Sequence, residues 1–305
     1  MAINITNVTD ATFGNCVKLS NGQVEFLVTV DYGPRVIAAN LCGMENMFYQ
    51  DPEKKGLGEK MDIYGGDIHK LYGGHRLWIA PEILPRCYHP DNAPVICEPI
   101  TNGMKFTASV EEKIGIRKSF TITLSETEAK ASLVHEVENV GLWGVEFALW
   151  CVTMMEKGGK SVMPFTKRKT GLLPNRHLTL WDYSEMNDSR VYWGKEFVTL
   201  TQDAAKANPF KLGYSNEDGW GTYFNKGQLF VKKFKMLDAA NYPDNGCSYE
   251  TFTNDFMLEV ETLSPMYTVA PGGKASHNEE WAFYKESAVP SNDENEIKEL
   301  LAKYV

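Results

Sequence analysis

NGQVEFLVTV, residues 21–30, alternates Val24, Phe26, Val28 and Val30 with Glu25, Leu27 and Thr29 straight after an Asn-Gly pair. Alternation with period two puts the first set on one face of a strand, and Asn-Gly is a strong signal for a tight hairpin turn. Similar runs recur at 104–110, 117–124, 130–139, 145–155, 228–237, 256–263 and 279–285. The links Asn102-Gly103, SETEA and NKGQ are too short for a parallel crossover, so the strands they join are expected to be antiparallel neighbours. The expected fold class is therefore all-β and mainly antiparallel. One helix is expected, about 292–304, with Ser291 and Glu294 as its capping box and Ile297, Leu300, Leu301 and Tyr304 as its apolar face, lying on a sheet edge or end.

No Pro/Gly/Ser linker, low-complexity tract or shift in charge divides the 305 residues, which predicts a single domain over 1–305. A formal charge of −9 sets up a field that repels phosphate backbones, so nucleic acid is not an expected partner. The six cysteines are scattered without a CxxC pair and are expected to be reduced. MAINITNVTD has neither a basic n-region nor an apolar h-region, and no apolar run approaches the ~18 residues of a membrane helix. The expected location is the cytoplasm, with no membrane partner. Oligomeric state is left open by the sequence.

Chemistry concentrates in three stretches. LYGGHRLWIAPE, residues 71–82, follows the glycine-rich KKGLGEKMDIYGGD and ends in prolines, which predicts a loop on a rigid scaffold. There Gly73-Gly74 allows a tight turn or a close approach to a ligand. His75 and Arg76 offer polar contacts, although Arg76 also suits a clamp on Glu82, and Trp78 has a flat face fit for a sugar ring or for the core. In FMLEVETL, residues 256–263, Met257, Glu259, Glu261 and Leu263 share one face, with the two carboxylates about 7 Å apart along the strand. Either both are surface charges or they line a site. Glu250 in SYET carries the same two alternatives. Glu217, Asp218 and Trp220 lie between glycines ahead of a strand, where they suit either sugar hydroxyls or a tight turn. Asp182 and Lys232 are weaker candidates. P-loop, dinucleotide-binding, HExxH and GxSxG patterns are absent, so no cofactor and no metal is expected.

The ordered segments YGPRVIAANL, LYGGHRLWIAPE, NVGLWGVEFALWCVTMMEKGG, YPDNGCSYETFTNDFMLEVETLSP and HNEEWAFYK resemble an uncharacterised bacterial branch of the galactose mutarotase-like (aldose 1-epimerase) superfamily, over roughly residues 20 to 286. The resemblance implies a β-supersandwich with a sugar groove on one concave sheet. It implies a small-molecule carbohydrate as partner and isomerase chemistry, in which a late-strand glutamate takes the anomeric proton and a histidine protonates the ring oxygen. By motif, Glu261 would be the base and His75 the acid, with Arg76, Trp78, Glu82, Asp218, Lys232, Glu250 and Glu259 as candidate substrate contacts. The chain departs from well-characterised mutarotases in lacking their Asn-His-rich central segment. Two alternatives therefore stand beside epimerisation: a non-catalytic sugar binder or regulator, and a polysaccharide-active hydrolase or lyase.

Overall fold

The computed structural model describes residues 3–56, 60–238 and 240–305; positions 57–59 of the glycine-rich segment lie outside it. The described chain forms two large antiparallel sheets packed face to face. The first runs, in spatial order, Asn4–Asp10, Gly14–Ser20, Val24–Thr29, Val36–Leu41, His75–Ala80, Val145–Glu156, Met257–Leu263, Tyr249–Thr253, Phe210–Tyr214 and Thr179–Leu180, with Tyr267–Val269 also paired to Val145–Glu156. The second runs Val191–Trp193, Phe197–Thr201, Lys160–Pro164, Trp220–Asn225, Gln228–Phe234, Lys274–Lys285, Lys130–Asn139, Ile116–Leu124, Gly103–Glu111 and Ile96–Ile100. The expected all-β, antiparallel architecture is what forms.

The opening stretch behaves as its alternation requires. Val24, Phe26 and Val28 are buried between the sheets, while Glu25 points out and pairs with Lys18 at 2.7 Å. Asn21 accepts from the backbone N–H groups of Gln23 and Val24, which closes the hairpin. Trp281, fully buried, is the hub of the core, with its ring 5.4–6.1 Å from those of Phe26, Phe48 and Phe230.

Two expectations are corrected. The HRLWIA segment is not a loop: His75–Ala80 is an interior strand with all six residues buried. The glycines before it meet backbone rather than a ligand. A Cβ on Gly73 would lie 2.3 Å from Tyr49 O, and one on Gly74 2.2 Å from Val36 O, both at positive φ that only glycine adopts freely. The C-terminal helix is Glu294–Leu301, and its N-cap is Asp293, whose carboxylate accepts from the N–H groups of Asn295 and Glu296. Glu296 reaches back to Ser291, while Glu294 accepts instead from the N–H groups of Glu196 and Phe197. Ile297 and Leu301 bury against Val162, Phe197, Phe224, Leu229 and Val231, so the helix covers the outer face of the second sheet rather than an edge. No helix among the described residues is long and apolar enough to cross a membrane.

Candidate functional site

Cross-strand register assembles the site. One row of directly opposed residues crosses the first sheet as Arg76, Val152, Glu261, Glu250 and Gly213, and a neighbouring row as Met154, Glu259, Phe252 and Lys211. Because side chains alternate, both rows project onto the face turned away from the second sheet. Trp78 and Trp150, also opposed, stand beside them with ring centroids 5.1 Å apart. Gly213 leaves room for this packing, since a Cβ there would sit 2.7 Å from Cys247 Sγ and 3.1 Å from Glu250 Cγ.

The polar groups of this groove are buried, and several lack partners. Glu261 is inaccessible to solvent; its Oε2 accepts from Trp150 Nε1 at 2.7 Å and lies 3.4 Å from Lys211 Nζ. Lys211 also pairs with Glu250 at 2.7 Å and sits between the rings of Trp150 and Trp181, 4.5 and 4.4 Å from their centroids. Trp181 covers it, in a segment tied down where Ser184 donates to Lys211 O and accepts from Lys211 N–H, and Tyr183 lies near enough for the Lys211 charge to act on it. Glu261 Oε1, Glu250 Oε1, Trp78 Nε1 and Arg76 Nε have no hydrogen-bond partner among the described residues. A buried polar atom left unpaired costs ~1–3 kcal/mol, and four on one face are the mark of a surface waiting for polar contacts from outside the chain.

Burial and mutual repulsion set the protonation pattern. Three carboxylates, Glu250, Glu259 and Glu261, face two cations, Arg76 and Lys211, and all five are buried. Burial, with the Glu261 charge adding to it, raises Glu259 to about 8; burial, opposed by Lys211 and helped by Glu261, raises Glu250 to about 8. Burial lowers Arg76 to about 10, with the Arg35 charge acting in the same direction. Next to Arg76, His69 is driven down to about 3, chiefly by burial. Its Nδ1–H donates to His89 O at 3.1 Å, leaving Nε2 to accept from Arg35 at 3.3 Å and Arg76 at 3.5 Å.

This pattern has a sign in stability. Glu259 holds its proton to about 8 in the folded chain but releases it near 4.5 when unfolded, so folding takes up protons between those values and stability falls as pH rises through them. Each such group contributes a slope of at most ~1.4 kcal/mol per pH unit. Denaturant unfolding at pH 7 and pH 8 is expected to show Glu259→Gln flattening the decline relative to the parent chain. Parallel slopes in the two proteins would refute the raised carboxyl. The window starts at pH 7 because the buried histidines, held neutral, have made most of their contribution by then and make the rest equally in both proteins.

The structure does not unite the two groups expected to work together. Register opposes His75 to Thr153 and Thr153 to Val260, one position out of step with Glu261, so His75 points between the sheets while Glu261 points into the groove. His75 accepts from Thr153 Oγ1 at 2.8 Å through Nδ1 and meets His135 at 2.8 Å through Nε2. Lys232 is in the same inter-sheet layer, where its ammonium contacts Cys151 O, Thr153 Oγ1, Val260 O and Glu279 Oε1 at 2.8–3.0 Å. His75, His135 and Glu279 bring donor atoms within 4.8 Å of one another, as do Cys151, His277 and Glu279. Lys232, 2.9 Å from Glu279, already supplies the positive charge there.

Asp218 is exposed and paired with Lys167 at 2.9 Å, and Glu217 pairs with Arg168, so that turn is a charged rim away from the groove. Glu82 is exposed and accepts from Tyr88, close enough to the groove for its charge to act on Glu259. Arg76, Trp78, Glu250, Glu259 and Glu261 do share the groove face. Lys211, Trp150, Trp181, Tyr183 and His69 join them without having been singled out; they sit in strands or loops with no local motif. A hollow of about 710 Å³ lies elsewhere, between the second sheet and the C-terminal residues 302–305, and contains none of these residues.

Two of the solved structures similar to this chain carry the relevant names. A Klebsiella pneumoniae protein described as a "putative aldose 1-epimerase" matches with a TM-score of 0.61 at 10% identity, covering 99% of this chain and 86% of that one. A galactose mutarotase-like protein from Clostridium acetobutylicum matches with a TM-score of 0.53 at 10% identity, covering 93% and 99%. This chain has the galactose mutarotase-like fold. A TPR-domain containing protein from Parabacteroides distasonis matches with a TM-score of 0.61 at 12% identity over 90% of this chain, which spans 48% of that one, so the fold also occurs inside larger architectures. No family model matches the chain, and no curated protein matches it in sequence. At these identities the galactose mutarotase-like likeness is one of fold.

Proposed function

We propose that the groove binds a free carbohydrate and interconverts its anomers. Glu261 is the base and Glu259, rather than a histidine, is the acid. The reading is carried by these two glutamates, adjacent on one face of one strand and held in different environments. Glu261 is fixed by Trp150 N–H beside an ammonium, whereas Glu259 has no side-chain hydrogen bond among the described residues and keeps its proton to about 8. Glu261 Oε1, unpaired, takes the proton of the anomeric hydroxyl as the bond from C1 to the ring oxygen breaks. Glu259 delivers its proton to that ring oxygen, leaving an open aldehyde. Rotation about the C1–C2 bond and reversal of both transfers close the ring on either face. Trp78 and Trp150 supply flat apolar faces for the ring, and entry requires the Trp181–Ser184 cover to lift.

A second reading, sugar binding without turnover, is favoured by one observation: among the described residues the groove-facing partners of Glu261 include no histidine. Two-dimensional NMR exchange between the anomeric protons of a panel of free hexoses decides between the two. Protein-dependent exchange is expected. Calorimetric binding without exchange favours the second reading, and neither signal for any sugar removes both.

A further inference from the structure

We propose that the natural ligand of this groove carries a carboxylate, as in a hexuronate, and that the side-on edge of Arg76 receives it. The proposal rests on the carbohydrate reading above and adds the charge of the substrate. Arg76 is 3% exposed, yet no carboxylate among the described residues lies within ion-pair distance of it. That is unusual for a buried guanidinium, which is ordinarily paired.

Its remaining contacts define what is free. The guanidinium carbon Cζ lies over the Trp78 ring, 3.5 Å from its centroid, so that side of the group is occupied. Nη1 is directed at the lone pair of neutral His69, 3.5 Å away. Nε and Nη2 have no hydrogen-bond partner among the described residues. Those two N–H groups are parallel and in one plane, the fork that a carboxylate bridges with both oxygens.

Neighbouring charges do not compete for this role. Arg35 is committed to Asp91, at 2.8 and 3.0 Å, and Lys211 to Glu250 and Glu261. One free guanidinium matches one negative charge, which favours a planar carboxylate over a phosphate dianion. Arg76 stands in the same cross-strand row as Glu261, with only Val152 between them. Adjacent strands are ~4.8 Å apart, so the backbones of the two residues are about 10 Å apart, room for a pyranose ring with a hydrogen bond at each end. A sugar anchored by its carboxylate on Arg76 therefore extends its far side toward the proposed base.

The test is calorimetric titration of the full chain with D-glucuronate and D-galacturonate, set against D-glucose, D-galactose, the methyl esters of the two uronates and hexose 6-phosphates. A uronate is expected to bind about 10- to 100-fold more tightly than both its neutral parent sugar and its ester, the range for hydrogen bonds to a charged group. Arg76→Met is expected to bring that ratio close to one, and Arg76→Lys, which keeps the charge but loses the fork, to reduce it. Should either variant fail to fold, the comparison of acid with ester in the unaltered protein still decides. Neutral sugars binding as tightly as the uronates would overturn the proposal while leaving the carbohydrate reading intact. Tighter binding of the phosphates would overturn it in favour of another anion. No binding by any of these sugars would remove both.

Discussion

Replacing Glu261 by Gln is expected to slow anomer exchange by about 10²- to 10⁴-fold, the usual contribution of a positioned general base, while the chain stays folded. The substitution is chosen for its shape. A carboxamide oxygen in place of Oε2 still accepts from Trp150 Nε1, and Lys211 keeps its 2.7 Å contact with Glu250, whose carboxyl, freed of the Glu261 charge that helps raise it, ionises more readily beside the ammonium. What disappears is the ability to take a proton. Loss of the Glu261 charge also lowers Glu259 toward the ordinary carboxylate range, since that charge helps raise it. The residual exchange of Glu261→Gln should therefore fall off at lower pH than that of the parent, whose high-pH limb lies near 8. A merely structural Glu261 would leave the rate unchanged at constant stability, whereas the limb follows its charge in either case. If Glu261→Gln exchanges anomers as fast as the unaltered protein, the proposed base is wrong; calorimetry on the same sample then shows whether the sugar is still bound.

The second large effect belongs to the layer between the two sheets, on strands of the second. Lys232→Met is expected to destabilise the fold by about 3–5 kcal/mol, because it leaves the Glu279 carboxylate buried with no cation. Lys232 and Glu279 are both wholly inaccessible, 2.9 Å apart, and the rest of the layer is arranged around them. Thr262 and Trp281 donate to Glu279, and Lys232 donates to Thr153, which in turn donates to His75. Burial lowers both His75 and His135 and so keeps the rings neutral; His135 then donates through Nδ1 to His277 O and accepts from His75 through Nε2. Adding Glu279→Gln to Lys232→Met should recover much of the loss, since the stranded charge rather than the missing contact is the main cost. Urea unfolding of both single variants and the double variant measures the coupling. A single variant within 1 kcal/mol of the parent would mean that the pair is not the charged, buried bridge its geometry describes. Because the layer faces away from the groove, sugar affinity of any variant that folds should change little.

These two layers explain how much of the molecule could be read in advance. The alternation in residues 21–30, 117–124, 130–139 and 256–263 gave the strands and their antiparallel links, because the two-residue period of a strand and the length of a hairpin are local properties. The same parity placed Glu259 and Glu261 together. It failed at HRLWIA for an identifiable reason: Gly73, Gly74 and the prolines after Ala80 are turn residues, but the glycines serve close passage beside the Tyr49 and Val36 backbones while the segment between is a fully buried strand. Such a strand is apolar-neighboured on both faces and loses the polar alternation that would announce it. Once it is a strand, His75 and Arg76 must point in opposite directions, and only one of them can share a groove with Glu261.

By itself, then, the amino-acid order determined the sheet class, the C-terminal helix and the shared face of two late glutamates, all of which depend on residues within a few positions of one another. The tertiary structure decided which early residue meets them, because the alignment of Arg76 with Val152 and of Val152 with Glu261 is set by burying both faces of a central strand at once. A slip of one residue there would exchange the groove for the core. It also decided that Lys211, Trp150 and Trp181 join the groove. Their approach depends on the order in which distant strands pair, which no local pattern encodes.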